Sequence, residues 1–443
     1  MTLPVRLDRR AAAPLGVQLA EQVRTLIVGG GLSRGDRLPS SRALATELGV
    51  ARSVTEQAYE QLLAEGWLAA RHGSGTFVAS GGLPAARPPV SRRPATPATL
   101  VRLDAGTPWI DPRHAAGWRR AWREVSVAAP PRGYPDPRGL LELRTALAER
   151  LARTRGLVVG PDDIVITAGA VDGLRQLLPV LPSGAFALED PGYRAAAETV
   201  RLSGRRLVDV PVGGVPSLRG VVGVYVTPAH QHPLGRVMPA DERLQLLAAA
   251  RATGVVVVED DYDSEFRYDV APVPALAALD RGQVVYLGTA AKSVGPSLRL
   301  GWLVAPPALV EAIVARRAIT HDSPSWPAQR ALLTLLRDGW VDKVVRAARR
   351  VYAERAPRVT AALAPYGELA GPLAGMYATW LLPPRAALRA RAAARAAGFE
   401  VNLLADYCRS AQHTGLVIGF GGVTDAELER ALAALTSGLS RLS

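Results

Sequence analysis

Residues 254–268 read GVVVVEDDYDSEFRY, and residues 284–302 read VVYLGTAAKSVGPSLRLGW. Each stretch begins with a short, continuously apolar run and ends in polar residues. A run of four to six apolar, β-branched residues with no alternation reads as a strand covered on both faces, which is the pattern of a parallel sheet flanked by helices. In such sheets ligands collect beyond the carboxyl ends of the strands. Asp260, Tyr262, Thr289 and Lys292 all fall at those ends.

The same pattern extends outward. IVITAG (164–169), AFALEDPGY (185–193) and VVGVYVTP (221–228) are further strand candidates, and helical spacing occupies 140–154 and 240–252 between them. Strands alternating with helices predict an α/β domain with a mainly parallel sheet, running from about residue 102 to 443. A chain of 443 residues exceeds one ordinary core and predicts more than one domain.

The lysine is conspicuous because 53 residues are basic and only Lys292 and Lys343 are lysines. A guanidinium stays protonated and cannot condense with an aldehyde, whereas a primary amine can. Around Lys292 the sequence sets a carboxylate, Asp260, a phenol, Tyr262, and an arginine, Arg299. Upstream, TAGAVDGL (167–174) opens a helix at Gly169 and Ala170, whose backbone N–H groups suit a phosphate. This set fits pyridoxal 5'-phosphate (PLP). Lys292 would form the Schiff base, Asp260 would hold the pyridine nitrogen protonated, Tyr262 would meet the ring hydroxyl, and Arg299 with Thr289 would clamp the phosphate. The ordinary alternative is a surface lysine near an acidic strand end. His230 and His232 lack an evident third donor, so no metal is expected.

Residues 80–101, SGGLPAARPPVSRRPATPATLV, contain no acidic residue and no helical or strand periodicity, the composition of a linker. Its reach is about 25 Å as a coil or about 65 Å if extended. The preceding residues, 1–79, read separately. In LPSSRALATELGVARSVTEQAYEQLLAEGWLAARHGSGTFV (38–78) a serine pair opens a helix that Gly49 ends, and a second helix follows with Ser53 and Glu56 at capping-box spacing. Two short strands with a glycine-rich tip come next. Helix, turn, helix and wing in that order predict a DNA-binding winged helix. Arg52, Ser53, Thr55 and Gln57 are expected on its exposed face, flanked by Arg42, Arg71 and His72. A helical protein-interaction module is the alternative.

A formal net charge of +13 agrees with a polyanionic partner, although an arginine- and alanine-rich base composition would produce it too. The single cysteine, Cys408, excludes an internal disulfide framework and any cysteine-rich metal site. No signal peptide and no apolar run near 18 residues is visible, so a cytoplasmic protein without membrane contact is expected.

GDRLPSSRALATELGV, AYEQLLAEGW and RHGSGTFV resemble the winged helix of the GntR family of bacterial transcription regulators. That resemblance places Arg42, Arg52, Ser53, His72 and Gly73 at DNA. YPDPRGLLELR (134–144), EDPGY (189–193), TPAHQHPLG (227–235) and the two opening stretches are similar to fold-type I aminotransferases. Together they resemble a MocR-type regulator: a winged helix fused to an aminotransferase-like PLP domain. The resemblance implies a homodimer, Tyr193 near the cofactor ring and Tyr134 reaching the cofactor of the other subunit. It also implies that PLP, or an amine or amino acid joined to it, modulates promoter binding. A catalytically active aminotransferase with an accessory DNA-binding head is the runner-up. Two departures bear on that choice. His232 stands where active enzymes carry the asparagine of Asn-Pro-x-Gly, and Val417 stands where the arginine for a substrate α-carboxylate is expected.

Overall fold

The computed structural model describes residues 3–71, 74–81, 100–214, 217–268 and 273–440. The chain divides into two compact units, 1–96 and 97–443.

In the first unit α1 (Leu15–Val28) packs on α3 (Arg52–Ala64), and α2 (Ser41–Leu48) precedes α3 across a tight turn. The Ser40 hydroxyl accepts from the Ala43 N–H at 3.2 Å and caps α2. Gly49 ends α2 at φ 63°, a left-handed conformation that a side chain resists. Leu19, Val23, Leu44, Ala58 and Leu62 form the core. β1 (Leu68–Arg71) and β2 (Gly75–Val78) pair antiparallel as the wing. The expected Ser53–Glu56 capping box does not form. Ala51 is the N-cap, and Glu56 instead pairs with Arg52 at 2.7 Å.

The second unit is built on a seven-stranded sheet. Its strands are β3 (Ile164–Thr167), β4 (Ala185–Asp190), β5 (Leu207–Pro211), β6 (Val221–Val226), β7 (Val256–Asp261), β8 (Val284–Thr289) and β9 (Gly301–Val304). Their order is β3-β9-β8-β7-β6-β4-β5. The run from β8 to β5 is parallel, and β9 is antiparallel to both neighbours. Strands β3, β4 and β7 are buried almost end to end, which is why each opens on an unbroken apolar run. Two separate apolar clusters contain opposite faces of these strands: Val257 lies in one and Val258 in the other. A smaller antiparallel sheet includes Tyr377–Leu381 and Gly415–Gly419.

Candidate cofactor and DNA sites

β7 and β8 run parallel with Asp260 opposite Leu287 and Asp261 opposite Gly288, so both strands end at the same sheet edge. A cavity of about 1110 Å³ opens there. Its wall contains Lys292, Asp260, Tyr262, Thr289, Arg299, Gly169, Ala170, Tyr193 and His232. Nine predicted or flagged positions thus meet in one place.

Asp260 is buried, and one of its oxygens accepts from the hydroxyl of Tyr225 on β6. The other, Oδ1, is buried with no partner. Burial raises this carboxyl to about 7, against the hydrogen bond from Tyr225 and the charge of Lys292. An unsatisfied carboxylate oxygen in such a place fits a protonated ring nitrogen. Burial lowers the Lys292 amine, opposed by Asp263, Asp260 and Asp104. Its Nζ donates to the Gly106 carbonyl, and a Cβ at Gly106 would stand 3.3 Å from that nitrogen. A depressed amine is the form that attacks an aldehyde.

Helix Ala170–Leu177 begins at the cavity, preceded by Gly169 at φ 113°. A Cβ at Gly169 would lie 3.7 Å from the Arg299 guanidinium, so that cation sits over the helix start. Arg299 is exposed and adopts φ 53°. Helix N–H groups and a guanidinium at one point fit a phosphate. Thr289 lies on the same wall, its hydroxyl accepting from the Ala291 N–H at 3.1 Å. The residues therefore fit PLP, which when bound supplies a carbonyl for an amine and an electron-withdrawing ring.

Tyr262 lines the cavity, with its hydroxyl 2.9 Å from the His230 carbonyl and 2.8 Å from the Tyr377 hydroxyl. His230 Nδ1 pairs with Asp263 at 2.8 Å. Tyr193 stands edge-on to His232, ring centres 5.7 Å apart. Tyr134 does not line this cavity; it is 78% exposed and stacks on His321 at 3.9 Å. Val417 is buried in the small sheet, facing Thr379 and Asn402 across the ladder. Arg409, also on the cavity wall, is held by Asp209 at 2.6 Å and by the Glu189 carbonyl at 2.7 Å.

In the winged helix Arg42, Arg52, Ser53 and Gln57 are exposed. Gln57 lies beside α1, where a Cβ at Gly16 would meet its Oε1 at 3.1 Å. Arg71 is exposed and its guanidinium lies 4.8 Å from the centre of the Phe77 ring. Thr55 corrects the expectation. It is 0% exposed, and its hydroxyl donates to the Ser41 and Arg52 carbonyls at 2.8 and 2.9 Å, so it joins α3 to α2 and cannot reach a base. His72 and Gly73 lie outside the described residues. Sequence reading missed Tyr225, because nothing but the β6–β7 register brings a strand tyrosine to Asp260.

Residues 99–435 match the family model for aminotransferases of class I and II, and residues 15–78 match that for bacterial regulatory proteins of the gntR family. The HTH-type pyridoxine biosynthesis transcriptional regulator PdxR of Corynebacterium glutamicum is 34% identical over 452 residues, covering 99% of both chains. The chain belongs to the MocR-type regulators of the GntR family. The probable rhizopine catabolism regulatory protein MocR of Rhizobium meliloti is 35% identical, with 79% of this chain and 77% of that protein covered. Among solved structures, the α-aminoadipate aminotransferase LysN of Thermus thermophilus aligns with 78% of this regulator and 93% of its own chain, at 26% identity and a TM-score of 0.67. An archaeal alanine:glyoxylate aminotransferase shares the fold at a TM-score of 0.70 and 24% identity. The regulator therefore joins a DNA-binding winged helix to a PLP-type aminotransferase domain. No helix among the described residues is long and apolar enough to cross a membrane.

Proposed function

We propose that this regulator is a homodimeric PLP-dependent sensor in which PLP on Lys292, or an amine captured there, changes the affinity of the winged helix for promoter DNA. The observation that carries this reading is the buried Asp260 Oδ1, without a hydrogen-bond partner among the described residues, in a cavity shared by Lys292 and Arg299. Arg42, Arg52, Ser53, Gln57 and Arg71 form the DNA-facing set, with arginines on phosphates and the start of α3 toward base edges. Tyr134, exposed and stacked on His321, is available to the cavity of the second subunit. We assign the two domains to residues 1–79 and 102–443; residues 82–99 of the intervening segment 80–101 lie outside the described residues.

Sensing rather than turnover is supported by the substrate side of the cavity. The strand position expected to grip an α-carboxylate is Val417, and Arg409 is already held by Asp209 and backbone carbonyls. A bidentate anchor is therefore lacking on both. The intact Lys292, Asp260 and Arg299 favour the second reading, an active aminotransferase. Sustained conversion of an amino acid and a keto acid would establish it.

The Lys292 assignment predicts that Lys292→Ala abolishes the visible absorbance acquired on mixing with PLP, while the cofactor-free melting curve stays close to wild type. Persistence of the same band in that variant would remove Lys292 from the site.

A further inference from the structure

The chain ahead of α1 is strapped along that helix. Leu3 and Val5 are buried in the core of the first unit. Gln22 on α1 accepts from the Arg6 N–H at 2.8 Å and donates to the Arg6 carbonyl at 2.6 Å. One turn earlier Gln18 does the same for Asp8, at 2.9 Å in each direction, and also donates to the Ala13 carbonyl at 2.7 Å. Each side-chain amide thus meets the strap's backbone as a neighbouring strand would. Backbone and apolar side chains hold the strap, and its arginines, Arg6, Arg9 and Arg10, are exposed.

Helices α1 and α3 lie start beside start. A Cβ at Gly16 would stand 3.1 Å from the Gln57 side chain and 3.4 Å from the Val54 carbonyl, whereas Arg24, near the end of α1, pairs with Glu65 at the end of α3 at 3.0 Å. The strap beside Gln18 is therefore near the first turn of α3, and the strap beside Gln22 lies toward its far end. Arg9 crosses to the turn between α2 and α3. Its Nη2 donates to the Gly49 carbonyl at 2.6 Å, two residues before Ala51, the N-cap of α3. A guanidinium has five N–H donors, so this bond leaves its charge and most of its donors available. Asp8, its neighbour in the chain, accepts from the Arg10 N–H at 2.8 Å, and among the described residues no carboxylate pairs with Arg9.

We propose that Arg9 contacts a DNA backbone phosphate beside the first turn of α3, so that the strap ahead of α1 forms part of the DNA interface. This rests on the reading that the start of α3 faces DNA. The Gly49 carbonyl fixes the guanidinium in place before DNA arrives, which reduces the side-chain entropy lost on binding. A phosphate contact adds affinity and register and reads no base.

The test is the affinity of full-length protein for a duplex from its own upstream region, and for the same duplex with its sequence scrambled, over a series of salt concentrations. Wild type is compared with R9A, R9Q, R9K, R6A and R52A. R9A is expected to weaken both duplexes about fivefold per chain bound at about 0.15 M salt, and to lower the slope of log affinity against log salt by about 0.9 per chain, the loss of one phosphate contact. R9Q keeps an N–H donor for the Gly49 carbonyl but no charge, and should match R9A. R9K keeps the charge and should retain most of the wild-type slope. R6A removes the same charge from the same strap toward the far end of α3, and should leave the slope unchanged. A wild-type slope in R9A and R9Q overturns the proposal even where affinity falls, because a residue that only braced the turn would leave the number of neutralised phosphates as it was. A slope in R6A as low as that in R9A overturns it too, since bulk charge would then be the cause. R52A separates the two readings: R52A weakened with R9A unchanged sinks the Arg9 contact alone, whereas wild-type affinity and slope in R52A would overturn the reading of α3 and this proposal with it.

Discussion

The two oxygens of Asp260 have different surroundings: one accepts from Tyr225, the other has nothing. In the cofactor-free protein this asymmetry has a cost that depends on pH. A carboxyl raised to about 7 by burial binds its proton more tightly folded than unfolded, so its contribution is fully present below about pH 4 and is lost as pH rises toward 7. Glu189 and Glu259, also raised to about 7 by burial, act in the same direction. His232, depressed, opposes them below its unfolded pKa near 6.5. Asp260→Asn removes one of these carboxyls. Between pH 5 and pH 7 the cofactor-free wild type should lose on the order of 2 kcal/mol more stability than this variant, measured by chemical denaturation at both pH values. Equal losses would mean that Asp260 is ionised throughout.

At the scale of elements, α2 and α3 are joined by more than apolar packing. The Thr55 hydroxyl bridges two backbone carbonyls, Ser41 at the start of α2 and Arg52 at the start of α3, in a fully buried position. Thr55→Val keeps the shape and leaves those carbonyls short of a donor, so it should destabilise the winged helix by about 1 to 3 kcal/mol. Thermal or denaturant unfolding measures this, and an unchanged stability would contradict the buried role. Arg52→Ala should do the reverse. Its pair with Glu56 is exposed and contributes little, so folding should be nearly unaffected while DNA affinity falls. Equal DNA affinity in Arg52→Ala would remove that residue from the interface.

The same elements show what could be read beforehand. β7 and β8 were legible because strands buried on both faces have no polar interruptions before their carboxyl ends, and that is where Asp260 and Lys292 lie. β5 was not, since Asp209 and Pro211 interrupt its apolar run at an edge of the sheet. β9 was hidden for another reason: its four residues follow directly on the lysine motif and run antiparallel to their neighbours. Thr55 was misplaced because i, i+3 and i+4 spacing marks a face of a helix without saying how wide that face is. Tyr225 beside Asp260 and Tyr377 beside Tyr262 depend on contacts between distant segments, which no local pattern encodes.

For the whole molecule, ligand binding in one unit can alter DNA binding in the other only if the ligand favours one conformation of the protein over another. The most direct measurement is the affinity of cofactor-free protein for a duplex from its own upstream region, at fixed salt because phosphate contacts make affinity salt-dependent. PLP would be titrated first, then primary amines and amino acids in its presence. PLP alone, or one of these amines with it, is expected to change the affinity by about tenfold, roughly 1.4 kcal/mol of coupling, and Lys292→Ala to abolish the change. Saturating PLP and amines that leave DNA affinity unaltered, in a protein whose Lys292 band shows the cofactor bound, would contradict it.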